Sequence, residues 1–436
     1  MISALHDIRV PNFILGLLLA LWLSACATTS KTPPPQNPIA SSPQENTAQA
    51  PQGGIVIAQP DITPDPVAEV RTPPPVPAPP PVTEPAPKID IPIFESPLGA
   101  LGHWKEGDHL PALSAFRRSC KTWETADPQA YLNPYLPDYG RFEDWEEACS
   151  LADIIPDTAF GARQFFENQF APASPRLDAP SQGHQGLITG YYQPEIEVRT
   201  IPDAVFSEPI LAKPPDQTVQ NLERKYIGAK TSRVIAYGRP LDVFFMQIQG
   251  SGHIRFENGR TIRAAYNGNN GKPYRSIGSV LIARGELEKD KSSKQDIEKW
   301  MIEAGPLKAR ALMNENPRYI FFVEQAISEG EGPLGAMRVP LTALGSVAVD
   351  PRYHPYGVPY YLEVKLPKSK GDYRGQSSGQ LVIAQDTGKA IRGPLRGDLY
   401  FGSGEHAGDL AGVMKHRADW SILLPRKLAA RQSPVS

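Results

Sequence analysis

Between Ser30 and Ile93 the chain carries three runs of consecutive proline, Pro33–Pro35, Pro73–Pro75 and Pro79–Pro81, and no aromatic residue. Such a stretch has no side chains able to close a core, and its prolines hold the backbone near extended polyproline II, so it reads as a tether. At about 3.1 Å per residue where extended, it reaches well over ~100 Å. Residues 31–92 hold 19 of the 47 prolines, which leaves 28 for all other positions. Packed structure is thereby confined to the remaining roughly 340 residues. At 40% hydrophobic and 21% charged, the chain has the makeup of an ordinary globular protein with a sizeable core. This excludes wholly disordered, coiled-coil, collagenous and polytopic membrane architectures. Lys and Arg number 45 against 47 Asp and Glu, a formal net charge of −2, so no global field draws the protein to nucleic acid.

Ahead of the tether, Phe13 to Ala25 is a mostly apolar run. It is too short to cross about 30 Å of hydrocarbon as a helix and suits the core of a signal peptide, assigned to residues 1–25. It ends in Leu23-Ser24-Ala25-Cys26, which resembles a bacterial lipobox and makes Cys26 the residue to be acylated. More than one acyl chain gives stable anchoring, since each buried CH₂ contributes about 0.8 kcal/mol. Ala27 rather than Asp follows the cysteine; by resemblance to sorted lipoproteins this implies the outer membrane, with the protein facing the periplasm. The alternative is a cleaved, non-lipidated signal whose cysteine is incidental.

Beyond the tether, which is assigned to 26–93, Leu110, Leu113, Phe116, Cys120 and Trp123 recur at helical period after Asp108, a capping residue. Phe142, Trp145, Cys149 and Ala152 form a second stripe, and Phe160 to Phe170 a third helix. Cys120 and Cys149 thus lie on buried stripes of neighbouring helices. In an exported protein they are expected to pair, two buried free thiols being the alternative. The pattern then turns to short β-rich runs between Gly and Pro: Leu187–Tyr192, Val234–Tyr237, Val243–Ile248, Tyr319–Val323, Ser346–Val349, Tyr360–Val364, Leu381–Ala384 and Asp398–Phe401. Such spacing favours barrels. One helical interlude runs from Ser293 to Met313, with Ser293 and Asp296 spaced as in a capping box.

Candidate chemistry is sparse in most classes. His184, His253, His354, His406 and His416 lack short ligand spacing, so no metal is expected. Neither a Gly-x-Ser-x-Gly elbow nor a phosphate-binding glycine fingerprint is present, and no cofactor is expected. The last hundred or so residues place aspartates at strand boundaries: Asp350 after Ser346–Val349, Asp386 after Val382–Gln385, and Asp398 before Leu399–Phe401. Taken singly, each fits a turn whose carboxylate satisfies backbone N–H groups.

The strings around them are more specific. Gln385-Asp386-Thr387-Gly388 and Arg396-Gly397-Asp398-Leu399-Tyr400-Phe401-Gly402 resemble the three-aspartate motif of the membrane-bound lytic murein transglycosylases of the A family. Phe245 to Gly252, Tyr274 to Gly278 and Thr189 to Pro194 are similar to three further blocks of that family, in the same order. Lys389 stands where the family commonly has a second glycine.

That resemblance implies a mainly β protein with some helices. A double-psi β-barrel main domain (94–198 plus 329–436) would carry an inserted, smaller β-barrel (199–328), with a groove between the two. It implies a peptidoglycan lytic exotransglycosylase, a lyase without cofactors that cleaves the β-1,4 bond between N-acetylmuramic acid and N-acetylglucosamine and leaves 1,6-anhydro ends. Asp398 matches the catalytic aspartate and Asp386 its supporting partner. Thr189, Tyr191, Tyr192, Gln247, Gln249, Ser251, Tyr274 and Ser276 are the expected glycan-binding residues, offering aromatic faces and neutral hydrogen-bonding groups. The expected partners are glycan strands and, through the anchor, the outer membrane; no residue points to particular proteins of wall synthesis or the divisome. Two alternatives stay open, a peptidoglycan hydrolase using water and a non-catalytic wall-binding lipoprotein.

Overall fold

The computed structural model describes residues 97–173, 185–289, 292–327 and 332–432. The signal peptide, Cys26 and the tether lie outside the described residues.

Three helices open the chain: α1 (Leu110–Trp123), α2 (Glu146–Ile154) and α3 (Ala159–Gln169). Asp108 Oδ1 accepts from the Leu110 N–H at the start of α1, and the Thr158 hydroxyl caps α3. Their apolar stripes meet in an aromatic cluster of Phe116, Trp145, Phe165, Phe166 and Phe170. A disulfide between Cys120 and Cys149 ties α1 to the start of α2, with Cα atoms 5.4 Å apart.

The chain then forms β1 (Phe170–Ala173) and β2 (Gln185–Gln193) and leaves the first sheet at Pro194. An inserted region follows: β3 (Glu195–Arg199), β4 (Glu208–Leu211), α4 (Gln217–Gln220), β5 (Val234–Gly238), α5 (Pro240–Gln249), β6 (Gly252–Arg255) and β7 (Thr261–Asn269). It ends with α6 (Ile277–Ala283), α7 (Lys294–Ala304), α8 (Pro306–Asn314) and β8 (Ile320–Gln325). The chain returns to the first sheet as β9 (Ser346–Ala348), β10 (Pro359–Leu366), β11 (Gln376–Asp386), β12 (Arg396–Ser403), α9 (Gly404–Ala411), β13 (Lys415–Pro425) and α10 (Arg426–Gln432).

The first sheet has the order β1-β13-β10-β11-β9-β12-β2, and a further pairing of β13 with β2 closes six of its strands on themselves. Closure removes sheet edges, and β1 extends the wall on β13. The second sheet runs β4-β5-β3-β6-β7-β8, and a bridge between Ala212 and Phe322 joins its ends. The fold is therefore mainly β, two barrel-like sheets with helices packed around them.

Two sequence expectations change. Val243–Ile248 is not a strand but lies inside α5, where Pro240 occupies the first turn and Gly250, at φ 91°, ends the helix. Val243 and Met246 pack into the second barrel while Phe244 and Phe245 face the α6–α8 layer. A helix buried on two sides is apolar nearly all round, so its period disappears. The interlude at 293–313 is two helices, broken at Gly305 (φ 83°) before Pro306. The Ser293–Asp296 capping box is formed in both directions.

Candidate active site

Asp398 sits on β12 directly opposite Thr189 of parallel β2 on one side and Ala348 of antiparallel β9 on the other. Ala348 also pairs with Asp386 on β11. Asp386, Ala348, Asp398 and Thr189 thus form one row across four strands, with the two aspartates flanking a side chain of a single methyl group. The β11 ladder slips by one residue between Ala384 and Asp386, and such a bulge re-aims side chains. Gln385, the extra residue, points to the helices and bonds Ala115, Ser119 and Ser346, whereas Asp386 turns to the other face.

Alternation along the strands separates the two faces. Ile188, Val347, Leu399 and Phe401 pack into the barrel core, while Thr189, Tyr191, Ala348, Asp398 and Tyr400 do not join that cluster. The interior beneath the site is filled: a Cβ at Gly190 would lie 2.8 Å from the Ala411 backbone, and one at Gly397 2.9 Å from the Trp420 ring.

On the site face the Thr189 hydroxyl donates to Asp398 Oδ1 and accepts from Arg396 Nη2 at 2.8 Å. The Tyr191 hydroxyl donates to Asp386 Oδ2 at 2.9 Å, and the Ala336 N–H donates to Asp386 Oδ1 at 3.0 Å. The rings of Tyr191 and Tyr400 lie 5.2 Å apart. Both carboxyls keep partial solvent access but are surrounded by packed protein, and removal from bulk water raises both pKa values. Asp386 is pushed up to about 6 by burial, helped by the charge of Asp398 and opposed by its hydrogen bonds from Thr387, Tyr191 and Ala336. Asp398 is raised by burial against the opposing Arg396 charge and Thr189 hydrogen bond. Burial raises Tyr274 as well, and the charge of Asp398 adds to it, so this ring of the inserted region lies within electrostatic reach of the row.

The third aspartate has a different part. Asp350 is fully buried, accepts from the Gly393 N–H at 2.9 Å and from the Arg352 guanidinium, and pins the loop that leads from Asp386 to Asp398. Burial works to raise its pKa, but these bonds outweigh it and hold the carboxyl below its ordinary value. In the same loop Lys389 has no positive φ, so this turn does not need glycine there.

The expected glycan-binding residues divide. Thr189 belongs to the row, Tyr191 lies two positions along the same strand and bonds Asp386, and Tyr274 feels the charge of Asp398. Ser276 caps α6 through the Ser279 N–H. Tyr192 points to the opposite face from Tyr191, buried against Gly408. Gln249 Oε1 accepts from the Tyr192 N–H and Gln193 Nε2 donates to Ser251 Oγ, two links between β2 and the inserted region. Gln247 is buried and accepts from Arg224. Tyr192, Gln247, Gln249 and Ser251 thus each have a partner within the protein, and among the described residues Gln247 Nε2 is buried without one. Arg396, Tyr400 and Ala348 were not singled out. The signal for the first two was present, since each is two residues from Asp398 on one strand.

The family model of the MltA specific insert domain matches residues 217–323, and that of the 3D domain matches residues 345–424. The membrane-bound lytic murein transglycosylase A of Vibrio cholerae is 36% identical over 253 residues, covering 57% of this chain and 68% of that protein. The chain belongs to the lytic murein transglycosylase A family. The Escherichia coli K12 member is 38% identical over 233 residues, covering 52% of this chain and 63% of its own length. Among solved family structures, the membrane-bound lytic murein transglycosylase from Agrobacterium tumefaciens matches with a TM-score of 0.65 at 30% identity, over 78% of this chain and 99% of that one. The E. coli transglycosylase with bound chitohexaose matches with a TM-score of 0.57 at 30% identity, over 72% and 90%. Asp386 and Asp398 fall within the 3D-domain match, and Gln247 and Tyr274 within the insert-domain match.

Proposed function

We propose that Asp398 is the one general acid and base of a non-hydrolytic cleavage of the glycan. By family the chain is a lytic transglycosylase of peptidoglycan; the residues add the assignment of roles. The observation that carries it is the unequal partnering of the two carboxyls. Asp386 accepts hydrogen bonds at both oxygens, whereas among the described residues Asp398 accepts only from Thr189, at Oδ1. Oδ2 of Asp398 is left for substrate.

In this reading the protonated Asp398 gives its proton to the bridging oxygen as the bond from C1 of N-acetylmuramic acid to O4 of N-acetylglucosamine breaks. The C6 hydroxyl of the same muramoyl residue forms the new bond to C1 and returns its proton to Asp398. No water is consumed, and the product is a 1,6-anhydro ring. Ordinary glycosidases need two carboxylates. The intramolecular attack needs one, because the nucleophile is already held beside C1. Asp386 is the supporting carboxyl of the row, and Tyr191 and Tyr274 offer flat apolar faces to the sugars. The main unit (94–198 with 329–436) and the insert (199–328) supply the two walls of the groove.

Relatives are named as membrane-bound, and among the described residues no helix is long and apolar enough to cross a membrane. Acylation at Cys26 supplies attachment to the periplasmic face of the outer membrane in this reading, with 26–93 as the tether. Replacing Cys26 with Ser should leave unprocessed precursor, and normal maturation with membrane partition would refute the anchor.

The decisive experiment for the reaction is digestion of purified peptidoglycan in ¹⁸O-water. Anhydro-muropeptides without label are expected; labelled reducing ends as the main product would establish hydrolysis instead. Asp398→Asn should lose roughly 10²- to 10⁴-fold in turnover, the contribution of a positioned acid–base group, while glycan binding survives. Near-normal turnover in that variant would overturn the assignment.

A further inference from the structure

Two residues along the strands from the Asp398 row, Arg396 of β12 and Arg417 of β13 both pair with Leu187 of β2. Positions two apart on a strand share a face, so both arginines project on the side of Asp398, about 7 Å from its row. With Arg392 and Gly393 of the preceding loop and Gln185 at the start of β2, they line a recess of about 440 Å³. Arg392 donates to the carbonyls of Gly388 and Ile391, Arg417 to that of Gln185, and Arg396 to those of Leu187 and Gly397 and to the Thr189 hydroxyl. Among the described residues none of the three forms an ion pair. Two carboxylates are near: Asp398, whose charge acts on Arg396, and Asp419, which accepts from Gln185 Nε2 at 3.3 Å. Carbonyl contacts leave part of each guanidinium fork open, and three forks of one sign on one recess match a carboxylate, which arginine binds in a planar, bidentate way.

We propose that this recess holds a carboxylate of the peptide borne by the muramoyl residue while the scissile bond lies over Asp398. The proposal rests on the glycan-cleaving reading of the site. The amino sugars of a glycan strand are neutral once the muramoyl lactyl group is joined to its peptide, and the free carboxylates are on that peptide. An anion site beside the catalytic acid therefore reads the peptide, and the enzyme prefers peptide-bearing strands.

The test uses the full chain, detergent-solubilised, with glycan strands before and after amidase removal of their peptides, the lactyl carboxylates freed by the amidase being converted to methylamides so that the peptide-free strands stay neutral. The wild-type ratio of kcat/KM, peptide-bearing over peptide-free, should exceed one. Arg392→Gln and Arg417→Gln should each lower that ratio roughly three- to ten-fold through KM, as expected for partly exposed charge-assisted bonds, and the double variant should bring it close to one. Both side chains are exposed, so equal melting temperatures will confirm intact folding. In a second arm, calorimetry with the amidase-released peptide should give binding that weakens in the double variant and in high salt. Equal cleavage of the two substrates by the wild type, a ratio unmoved in the double variant, or peptide binding indifferent to the substitutions would overturn the proposal. Peptide binding lost in the double variant, with no cleavage of either substrate by the wild type, would support this site and sink the assigned reaction.

Discussion

Thr189 and Asp398 face each other across parallel strands, and the threonine hydroxyl donates to Asp398 Oδ1 while accepting from Arg396. With its own lone pair occupied by a cation, that hydroxyl is fixed as a donor. The acid proton of Asp398 is therefore directed to Oδ2. Thr189→Val keeps the shape of the side chain and removes the donor. We expect kcat to fall about ten-fold or more, with glycan affinity little changed, since a charge-assisted bond of about 1.5–3 kcal/mol is lost at the reacting carboxyl. Steady-state kinetics on isolated glycan strands would check it, and Thr189→Ser should retain most of the activity.

Arg396 opposes the rise in the Asp398 pKa that burial causes. Arg396→Gln removes the charge, so the pKa should rise further. A general acid works only while protonated, and activity is lost as pH rises through its pKa. The alkaline limb of the kcat/KM profile should therefore move to higher pH in this variant. A limb that stays in place or moves down would show that the arginine does not tune this group.

Burial holds the Asp386 pKa at about 6 against an ordinary value of 3.8. A carboxyl raised on folding contributes stability that is fully present below pH 3.8 and lost as pH rises through about 6. Asn cannot ionise, so Asp386→Asn should be more stable than the parent at pH 7.5 by about 1–2 kcal/mol, after allowance for partial exposure, while turnover falls. The gain should vanish near pH 4. Melting temperatures of the two proteins at these pH values provide the test.

The disulfide from Cys120 to Cys149 closes a separation of 29 residues. In the chain-entropy model, removing it with Ala at both positions should cost about 3–4 kcal/mol, seen as a lower denaturant midpoint. A midpoint unchanged by the substitutions and by reductant would contradict this. The site lies on other elements, so activity at low temperature should persist.

Much of the helical layer was legible because its elements are amphipathic with one wet side. The stripes of Phe116 and Trp145, and the capping box at Ser293, are local patterns that local physics reads correctly. Residues 243–248 misled because α5 is covered on both sides, which erases the period that separates helix from strand. The strands β1, β3, β4, β6, β7 and β13 are not legible in the sequence, being short or held in place by partners far away in the chain.

The sequence by itself determined where packed structure could form, which strands carry the aspartates, and the family they resemble, because composition and motif spacing are properties of the linear chain. Only the tertiary structure decided which polar residues share a face. Register across β11, β9, β12 and β2 put Asp386, Ala348, Asp398 and Thr189 in one row. A one-residue bulge at Gln385 turned Asp386 toward Tyr191. Alternation sent Tyr191 to the site and Tyr192 to the core. Pairing partners as distant as Thr189 and Asp398, 209 residues apart, are chosen by closure of the barrel. A shift of one residue reverses which face each side chain meets, and the linear pattern alone does not encode that choice.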